Sequence, residues 1–150
     1  MADTITRDAR SRNMAAIKSK NTSDEVYFRK LLFHKGYRYS LHSTKVPGHP
    51  DLYLAKYNSA IYINGCFWHR HKNCKYAYTP KSRVEFWQRK FENNQNRDMV
   101  VAQQLRNLEI KQLIIWECTI KKMMKNSDFE KEVLNQVEAF LNNSEQIVEI

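Results

Sequence analysis

Residues 65–76, GCFWHRHKNCKY, combine metal ligands, imidazoles and large aromatic rings in one short polar segment. Cys66 and Cys74 lie toward its two ends, with His69 and His71 between them. Thiolates and imidazoles are the ligands of structural zinc sites, and such a site needs four of them. Cys118 supplies a third thiol, and the fourth ligand is either His69 or His71, because both lie between the loop cysteines. The sequence predicts a zinc site whose fourth ligand the spacing leaves open.

The three cysteines also have a simpler explanation, because a free cysteine is usually a buried apolar side chain. Their odd number and the reducing conditions of a cytosol argue against disulfides. Two of them flank histidines in a polar loop, however, which is not a pattern of core residues. Metal ligation is the better interpretation.

A second group of residues could hold a harder cation. Asp51 opens a predicted strand directly after Pro50, which would present its carboxylate at the edge of a sheet, near the end of the strand that finishes at Asn64. Mg²⁺ binds through one or two carboxylates and keeps several waters. Glu25 could face the same place from the first turn of a helix. The alternatives are a turn residue at Asp51 and, for Glu25, a capping box with Thr22.

His69 and Asp98 add a possible acid–base pair to these carboxylates. Imidazole titrates near neutral pH, so His69 could take a proton from water. A carboxylate such as Asp98 could orient the ring, as in other pairs of a base and its orienting group. The alternative for Asp98 is an exposed helical position in the segment NNQNRD. Together these residue types predict metal-assisted hydrolysis.

Overall charge indicates the class of partner. Twenty-five Lys and Arg residues against sixteen Asp and Glu give a net charge of +9, which favours nucleic acid because basic side chains displace counterions from phosphates. Residues 1–21 are basic and could lie along a phosphate backbone, or could be a frayed terminus. Phe67 and Trp68 could contact the same partner or could pack against the zinc loop. No apolar run is long enough for a membrane span or a signal peptide, so we expect a soluble cytosolic protein.

Apolar spacing predicts the elements that must position these residues. We expect helices at about 23–35, 82–109 and 128–142, and strands at 37–43, 51–57, 59–65 and 111–118. The strand at 59–65 is almost wholly apolar, which indicates a central position. The stripe of the long helix comprises Val84, Trp87, Phe91, Met99, Ala102 and Leu105. The order αβββαβα predicts one domain over residues 1–150, with a mixed sheet covered by helices.

Several separated motifs in this order resemble the very short patch repair endonucleases. They are RSRNMAAIKSKNTSDE near the N-terminus, PGHPDLY, GCFWH at 65–69 and IIWEC at 114–118, and the resemblance extends over roughly residues 7–142. These bacterial enzymes nick DNA beside a T:G mismatch that arises when 5-methylcytosine deaminates. The resemblance implies an α/β fold like that of type II restriction endonucleases, with a mixed β-sheet flanked by helices, a structural zinc site and an active site related to the PD-(D/E)xK class.

The resemblance also implies roles for individual residues. Asp51 and the backbone carbonyl of Ile63 would bind Mg²⁺, with Glu25 acting through metal-bound water. His69 would be the general base, supported by Asp98 and replacing the lysine that the wider class carries. The implied zinc ligands are Cys66, His71, Cys74 and Cys118, which agrees with a free imidazole at His69. Some members carry His where this sequence has Asn64, whose amide can donate a hydrogen bond but takes up no proton at neutral pH, so the sequence leaves a catalytic role for position 64 open.

The family opens the base stack with aromatic side chains, and the implied DNA contacts are Met14, Phe67, Trp68, Trp87, Lys90 and Asn94. Phe67, Trp68 and Trp87 would form the wedge, and Met14 would enter from the other groove. Lys90 and Asn94 would face base edges. The implied partner is double-stranded DNA with a T:G mismatch, bound by a monomer in the cytoplasm, in association with the bacterial nucleoid and with other mismatch-repair proteins.

Two other functions fit part of the pattern. A non-catalytic zinc module that binds nucleic acid would explain the charge and the aromatics, but it leaves Asp51, His69 and Asp98 without a role. A restriction-type nuclease that cuts both strands of matched DNA would use the same fold and metal. The leading hypothesis is a Mg²⁺-dependent endonuclease that nicks DNA on the 5′ side of the mismatched T.

Overall fold

The structure is a computed structural model that describes residues 21–150 of the chain. Helix α1 spans Ser23–His34, strand β1 Ser40–Leu41, β2 Leu52–Leu54 and β3 Ser59–Asn64, with a short 3-10 turn at Ala55–Tyr57. Helix α2 spans Val84–Asn107, followed by β4 at Lys111–Trp116, α3 at Glu117–Lys125, α4 at Ser127–Asn142 and β5 at Ile147–Glu149. Met14 and the rest of the basic segment 1–21, except for Asn21, lie outside the described residues.

The five strands form one sheet in chain order, β1-β2-β3-β4-β5. β1, β2 and β3 are antiparallel to one another, whereas β3, β4 and β5 run parallel. The predicted mixed sheet flanked by helices is therefore confirmed, with β3 at its centre. No helix within residues 21–150 is long and apolar enough to cross a membrane.

Several predicted boundaries are wrong. The strand expected at 37–43 is reduced to Ser40–Leu41, and the strand expected at 51–57 ends at Leu54 in the 3-10 turn. The strand expected to reach residue 118 ends at Trp116, because Glu117 begins α3. Helix α3 and strand β5 were not predicted, so the observed order is αβββαβααβ.

One face of the sheet carries the main core. Leucine and isoleucine side chains of β2, β3 and β4 pack there against α1, α3 and α4. The fully buried members include Phe28, Leu32, Leu52, Leu54, Ile61, Leu113, Ile115, Ile120, Val133 and Val137. Burial of each such side chain contributes roughly 1.5–3 kcal/mol, so this face holds the strands that carry the site in fixed positions.

The other face of the sheet meets only part of α2. Val101 and Leu105 pack on Ala60 and Tyr62 of β3, while Trp87 and Phe91, nearer the N-terminus of α2, contact the Phe67 ring in the loop after β3. The turn before β2 packs on the same helix: Gly48 has φ of 75°, and a Cβ atom there would lie 2.9 Å from Val101 Cγ1. Glycine is needed for this conformation and close approach, which fixes the chain just before Asp51.

The face of α2 that turns inward differs from the predicted stripe. Met99 is 69% exposed, so its predicted place in the apolar stripe is wrong. The inward row consists of Trp87, Phe91, Asn94, Asp98, Val101 and Leu105, at intervals of three and four residues. Asn94 and Asp98 are polar, and apolar periodicity alone could not assign them to this face.

Candidate active site and metal-binding clusters

Parallel pairing of β3 and β4 brings two distant cysteines together. Asn64 and Trp116 are register partners at the ends of these strands, and Cys66 and Cys118 each follow two residues later. Because the carboxyl ends of adjacent parallel strands lie at one edge of a sheet, the segments that follow them begin side by side. The buried sheet therefore positions the first and last of the predicted zinc ligands.

We call Cys66, His71, Cys74 and Cys118 the sulfur cluster. One ligand atom from each lies within 4.8 Å of every other, and Cys118 Sγ is 3.5 Å from His71 Nδ1. A sulfur and a nitrogen on one tetrahedral zinc ion are about 3.6 Å apart, given the usual bond lengths. The donor set and its spacing thus fit a closed four-ligand zinc site, with His71 rather than His69 as the imidazole.

Burial controls the protonation of this cluster. It raises the pKa of the Cys66 thiol to about 12, with the neighbouring Cys118 thiol as a further cause, and burial also raises the pKa of Cys118. A bound divalent cation would reverse this preference, because a coordinating thiol loses its proton. The His71 ring stacks on Trp116, with ring centres 4.1 Å apart and 7° between the planes, which fixes the direction of Nδ1.

We call Glu25, His42 and Asp51 the carboxylate cluster, since their candidate ligand atoms also lie within 4.8 Å of one another. α1 contributes Glu25, the segment after β1 contributes His42, and Asp51 precedes β2. Asp51 Oδ2 accepts a hydrogen bond from the Ile63 N–H at 2.6 Å. The N–H and C=O of one strand residue leave the strand on the same side, so the predicted Ile63 carbonyl ligand is directed toward this carboxylate.

The pKa of Asp51 is raised from its ordinary value of 3.8 to about 7. Burial is the largest cause, because it penalises the ionised form, and the neighbouring Glu25 carboxylate adds to it. The hydrogen bond from Ile63 N–H acts in the opposite direction. A carboxylate held in this way is well prepared to accept a cation, which stabilises its ionised form.

Glu25 combines the two roles that the sequence left as alternatives. Thr22 Oγ1 accepts a hydrogen bond from Glu25 N–H at 3.3 Å, as in a helix N-cap. Glu25 Oε2 accepts one from Asn21 N–H at 2.9 Å and lies 3.4 Å from Arg29 Nη1. The carboxylate is nevertheless buried within the carboxylate cluster.

His69 and Asp98 meet across the gap between the loop and α2. His69 Nδ1 lies 2.7 Å from Asp98 Oδ2. An ionised carboxylate only accepts hydrogen bonds, so Nδ1 is the donor in this contact, and in a neutral imidazole Nε2 then carries the lone pair. His69 and Asp98 line a cavity of about 470 Å³ together with Asp51, Ile63 and Asn64.

Arg70 separates the two histidines. Its backbone is left-handed, with φ of 54°. On one side of it the His69 ring contacts Asp98, and on the other the His71 ring contacts Cys118. The Arg70 guanidinium donates to the carbonyls of Phe67, Ala77 and Tyr78 and to Thr79 Oγ1, at 3.0–3.3 Å. It also lies 3.9 Å from the centre of the Phe91 ring. Arg70 therefore ties the loop to itself and to α2.

The predicted wedge residues form part of a ring cluster. Phe67 is at its centre, with ring centres of Trp68, Tyr78, Trp87 and Phe91 at 5.1–5.6 Å. Trp68 is 37% exposed, whereas Phe91 is buried. Asn94 Nδ2 donates to the Trp68 carbonyl at 3.2 Å, and Lys90 Nζ lies 6.0 Å from the centre of the Trp68 ring. Asn94 thus positions the loop, a role that the sequence did not predict.

Sequence reasoning missed His42 and Arg70. His42 lies in a segment that was interpreted as an ordinary strand, and only its position before the PGHPD turn could have drawn attention to it. Arg70 lies between two histidines, where its many hydrogen bonds to the loop depend on the folded path of the backbone. Neither position has a spacing signal.

Paired carboxylates beside a histidine–aspartate pair make up a site suited to metal-assisted hydrolysis. The comparisons with known proteins then identify the family. A family model described as DNA mismatch endonuclease Vsr matches residues 2–76. The chain belongs to this Vsr family, and it is a DNA endonuclease and therefore a hydrolase.

Individual relatives agree with this membership. The chain is 39% identical over 121 residues to the type II nicking enzyme V.NmeAIP of Neisseria meningitidis, and the aligned residues make up 81% of this chain and 86% of the relative. It is 35% identical over 128 residues to the DNA mismatch endonuclease Vsr of Escherichia coli K12, covering 85% of this chain and 81% of that one. A third relative, the type II nicking enzyme V.XorIIP of Xanthomonas oryzae, is 33% identical over 123 residues.

Proposed function

We propose that this protein is a Mg²⁺-dependent endonuclease that nicks the T-bearing strand of a T:G mismatch on the 5′ side of the T. The observation that carries the proposal is the cavity that Asp51 and His69 line together. A carboxylate and an imidazole beside one space support metal-assisted hydrolysis there, with the carboxylate as cation ligand and the imidazole as base. Nicking and mismatch recognition are supported by the relatives, whose names are type II nicking enzyme and DNA mismatch endonuclease.

In the proposed reaction, water attacks the scissile phosphorus and the bond from phosphorus to the 3′ oxygen breaks. The 3′ oxygen takes a proton from solvent, which leaves a 5′-phosphate and a 3′-hydroxyl. His69 Nε2 takes the proton of the attacking water, and Asp98 stabilises the imidazolium that forms. Asp51 and the Ile63 carbonyl would hold Mg²⁺, which would stabilise the charge developing on the phosphate. Glu25, which lies beside Asp51 in the carboxylate cluster, would act through water bound to this cation.

Zinc in the sulfur cluster would have a structural role. Four protein ligands leave no open position for a reacting group. The cluster would connect the loop after β3 to the start of α3, and so would fix both histidines. The rigid loop would present Trp68, with Phe67 and Trp87 behind it, as the wedge that opens the mismatch. Unstacking costs roughly a few kcal/mol per step and less at a mismatch, which favours T:G over matched DNA.

The decisive experiment uses duplexes that differ only in one base pair. T:G and matched duplexes, each strand labelled in turn, are incubated with the protein and Mg²⁺. We expect one break in the T-bearing strand of the mismatched duplex, and Asp51→Asn should abolish cutting but retain binding, because phosphate contacts elsewhere carry affinity. Asp128→Asn, at an exposed position on α4, is the matched control and should cut normally.

Each rival function has its own outcome in this assay. Breaks in both strands of matched DNA would indicate a restriction-type nuclease. Binding of DNA without any cutting, at a saturating Mg²⁺ concentration, would indicate a non-catalytic zinc module. Near-normal turnover by Asp51→Asn would contradict the assignment of the active site to this cavity.

A further inference from the structure

The imidazole of His42 lies against the two carboxylates of the proposed cation site. His42 Nε2 is 3.0 Å from Glu25 Oε2, and His42 Nδ1 is 4.0 Å from Asp51 Oδ1. Nε2 is enclosed by protein and is without a hydrogen-bond partner among residues 21–150. The 3.0 Å approach to Glu25 is therefore a close contact that lacks the alignment of a hydrogen bond.

Other groups already hold Glu25 in place, so His42 is not needed for that purpose. The same oxygen, Oε2, accepts from Asn21 N–H at 2.9 Å and lies 3.4 Å from Arg29 Nη1. When Nε2 carries the lone pair of a neutral imidazole, two electron-rich atoms face each other at 3.0 Å. A cation that binds both would turn this contact from repulsive to favourable.

His42 is one of eight non-glycine residues within residues 21–150 whose φ is positive. Its φ is 49°, which is a left-handed conformation that non-glycine residues seldom adopt. Strain of this kind persists where the surrounding structure imposes it and is concentrated at functional sites. Here it accompanies an imidazole that lies against Glu25 and Asp51.

We propose that His42 and Glu25 are direct ligands of the cation that Asp51 holds, so that Glu25 contacts the ion itself instead of acting through its water, and that this site binds Mn²⁺ more tightly than Mg²⁺. Two adjacent ligands of an octahedral ion with bonds of about 2.1 Å are about 3 Å apart, which matches the contact between His42 and Glu25. Mg²⁺ prefers oxygen ligands, whereas an imidazole nitrogen favours first-row transition metals. The inference rests on the proposed function, because it deepens the description of the same site.

The test measures metal binding by the full chain without DNA. Mn²⁺ binding is followed by the electron paramagnetic resonance signal of the free ion, and Mg²⁺ by its competition with Mn²⁺. Electron spin echo modulation of bound Mn²⁺ then reports directly whether a ¹⁴N nucleus is a ligand. We expect wild type to bind Mn²⁺ at least ten-fold more tightly than Mg²⁺, with clear ¹⁴N modulation.

His42→Asn is the main variant, because asparagine tolerates a left-handed backbone but offers no imidazole. It should lose ¹⁴N modulation and bind Mn²⁺ at least ten-fold more weakly, while Mg²⁺ affinity changes by less than about three-fold. His49→Asn is the matched control, because His49 is an exposed histidine with φ of 48° that lines the cavity beside Asp51. It should retain both the modulation and the Mn²⁺ affinity.

The outcomes separate this inference from the proposed function. Mn²⁺ bound to wild type without ¹⁴N modulation overturns the inference even if the variant fails to fold, as does unchanged Mn²⁺ affinity in His42→Asn. Loss of modulation only in His49→Asn would assign the ligand to His49 and would also overturn it. If wild type binds neither ion, or if Asp51→Asn binds both normally, the cation site of the proposed function fails as well.

Discussion

The sulfur cluster and the carboxylate cluster are built in opposite ways, although each brings its ligand atoms within 4.8 Å. The sulfur cluster has four candidate ligands, three of them within one loop, and a tetrahedral ion that they bound would have no position left for a fifth group. The carboxylate cluster takes its three residues from separate parts of the chain, and Asp51 borders a cavity of about 470 Å³. A closed soft site suits a structural ion, and an open hard site suits one that meets a substrate.

Both clusters share one electrostatic property. Burial raises the pKa of Cys66 in one and of Asp51 in the other, so each is costly to ionise until a cation arrives. The difference lies in what depends on that cation. We expect the loop conformation to depend on the first cluster and the reaction on the second.

The largest effect should come from breaking the sulfur cluster. Cys118→Ser should lose zinc and fold poorly, because structural zinc contributes roughly 10–16 kcal/mol of apparent binding free energy in small domains. Elemental analysis of the purified protein and its melting temperature provide the measurement. Wild type should contain one zinc per chain, and a Cys118→Ser protein that is fully folded and zinc-loaded would contradict the assignment.

The two histidines provide an internal control for this comparison. His71→Ala should lose zinc as Cys118→Ser does, whereas His69→Ala should keep it. If His69→Ala is stripped of zinc while His71→Ala remains loaded, the assignments are reversed.

The next largest effect should be on catalysis alone. His69→Ala should lower the nicking rate by roughly 10²–10⁴-fold, the usual contribution of a general base, without a change in zinc content or melting temperature. Asp98→Asn should lower the rate less, because the amide can still hydrogen-bond to the ring but stabilises the imidazolium poorly. Single-turnover rates at saturating Mg²⁺ measure both, and equal rates for wild type and His69→Ala would exclude His69 as the base.

Local spacing predicted most of the scaffold, and the reasons are visible in particular residues. The N-cap at Thr22 and the apolar face of α1 placed that helix within one residue, and the apolar run of β3 marked the central strand. Helix α3 was missed because IIWEC continues an apolar strand pattern directly into a helix. Strand β5 was missed because it is a short edge strand whose pairing with β4 depends on the path of α3 and α4.

The candidate site was less accessible to sequence reasoning alone. Residue types in the loop predicted zinc, but its spacing could not choose between His69 and His71. The choice depends on the left-handed backbone at Arg70, which directs the two rings to different partners. The role of His42 could not be predicted, because only the tertiary structure brings it close to Glu25 and Asp51.

A moderate effect should separate the exposed ring from its buried support. Trp68→Ala should change the free energy of unfolding by less than about 1 kcal/mol and still lose mismatch binding. Phe91→Ala should cost roughly 3–5 kcal/mol of stability, because Phe91 is buried at the base of the ring cluster. Urea titrations measure both changes in stability. The fluorescence of 2-aminopurine beside the mismatch should increase when wild type binds and stay low with Trp68→Ala. Unfolding of Trp68→Ala, or fluorescence that never changes, would indicate packing instead of a wedge.

The smallest effect tests whether ionisation of Asp51 lowers the stability of the folded protein when no cation is bound. Between pH 3.8 and about 7 the folded protein holds a proton on Asp51 that the unfolded chain releases, so stability falls as the pH rises through this window and stays lower above it. Asn cannot ionise, and Asp51→Asn avoids this loss. In buffer without added divalent ions, Asp51→Asn should melt within about 1 °C of wild type at pH 4, and a few °C above it at pH 8. Exposed Asp128→Asn should show no such rise, and Mn²⁺ should narrow the gap at pH 8 by stabilising only wild type. A difference between Asp51→Asn and wild type that is constant across this pH range would mean that Asp51 ionises in the folded protein as readily as in water.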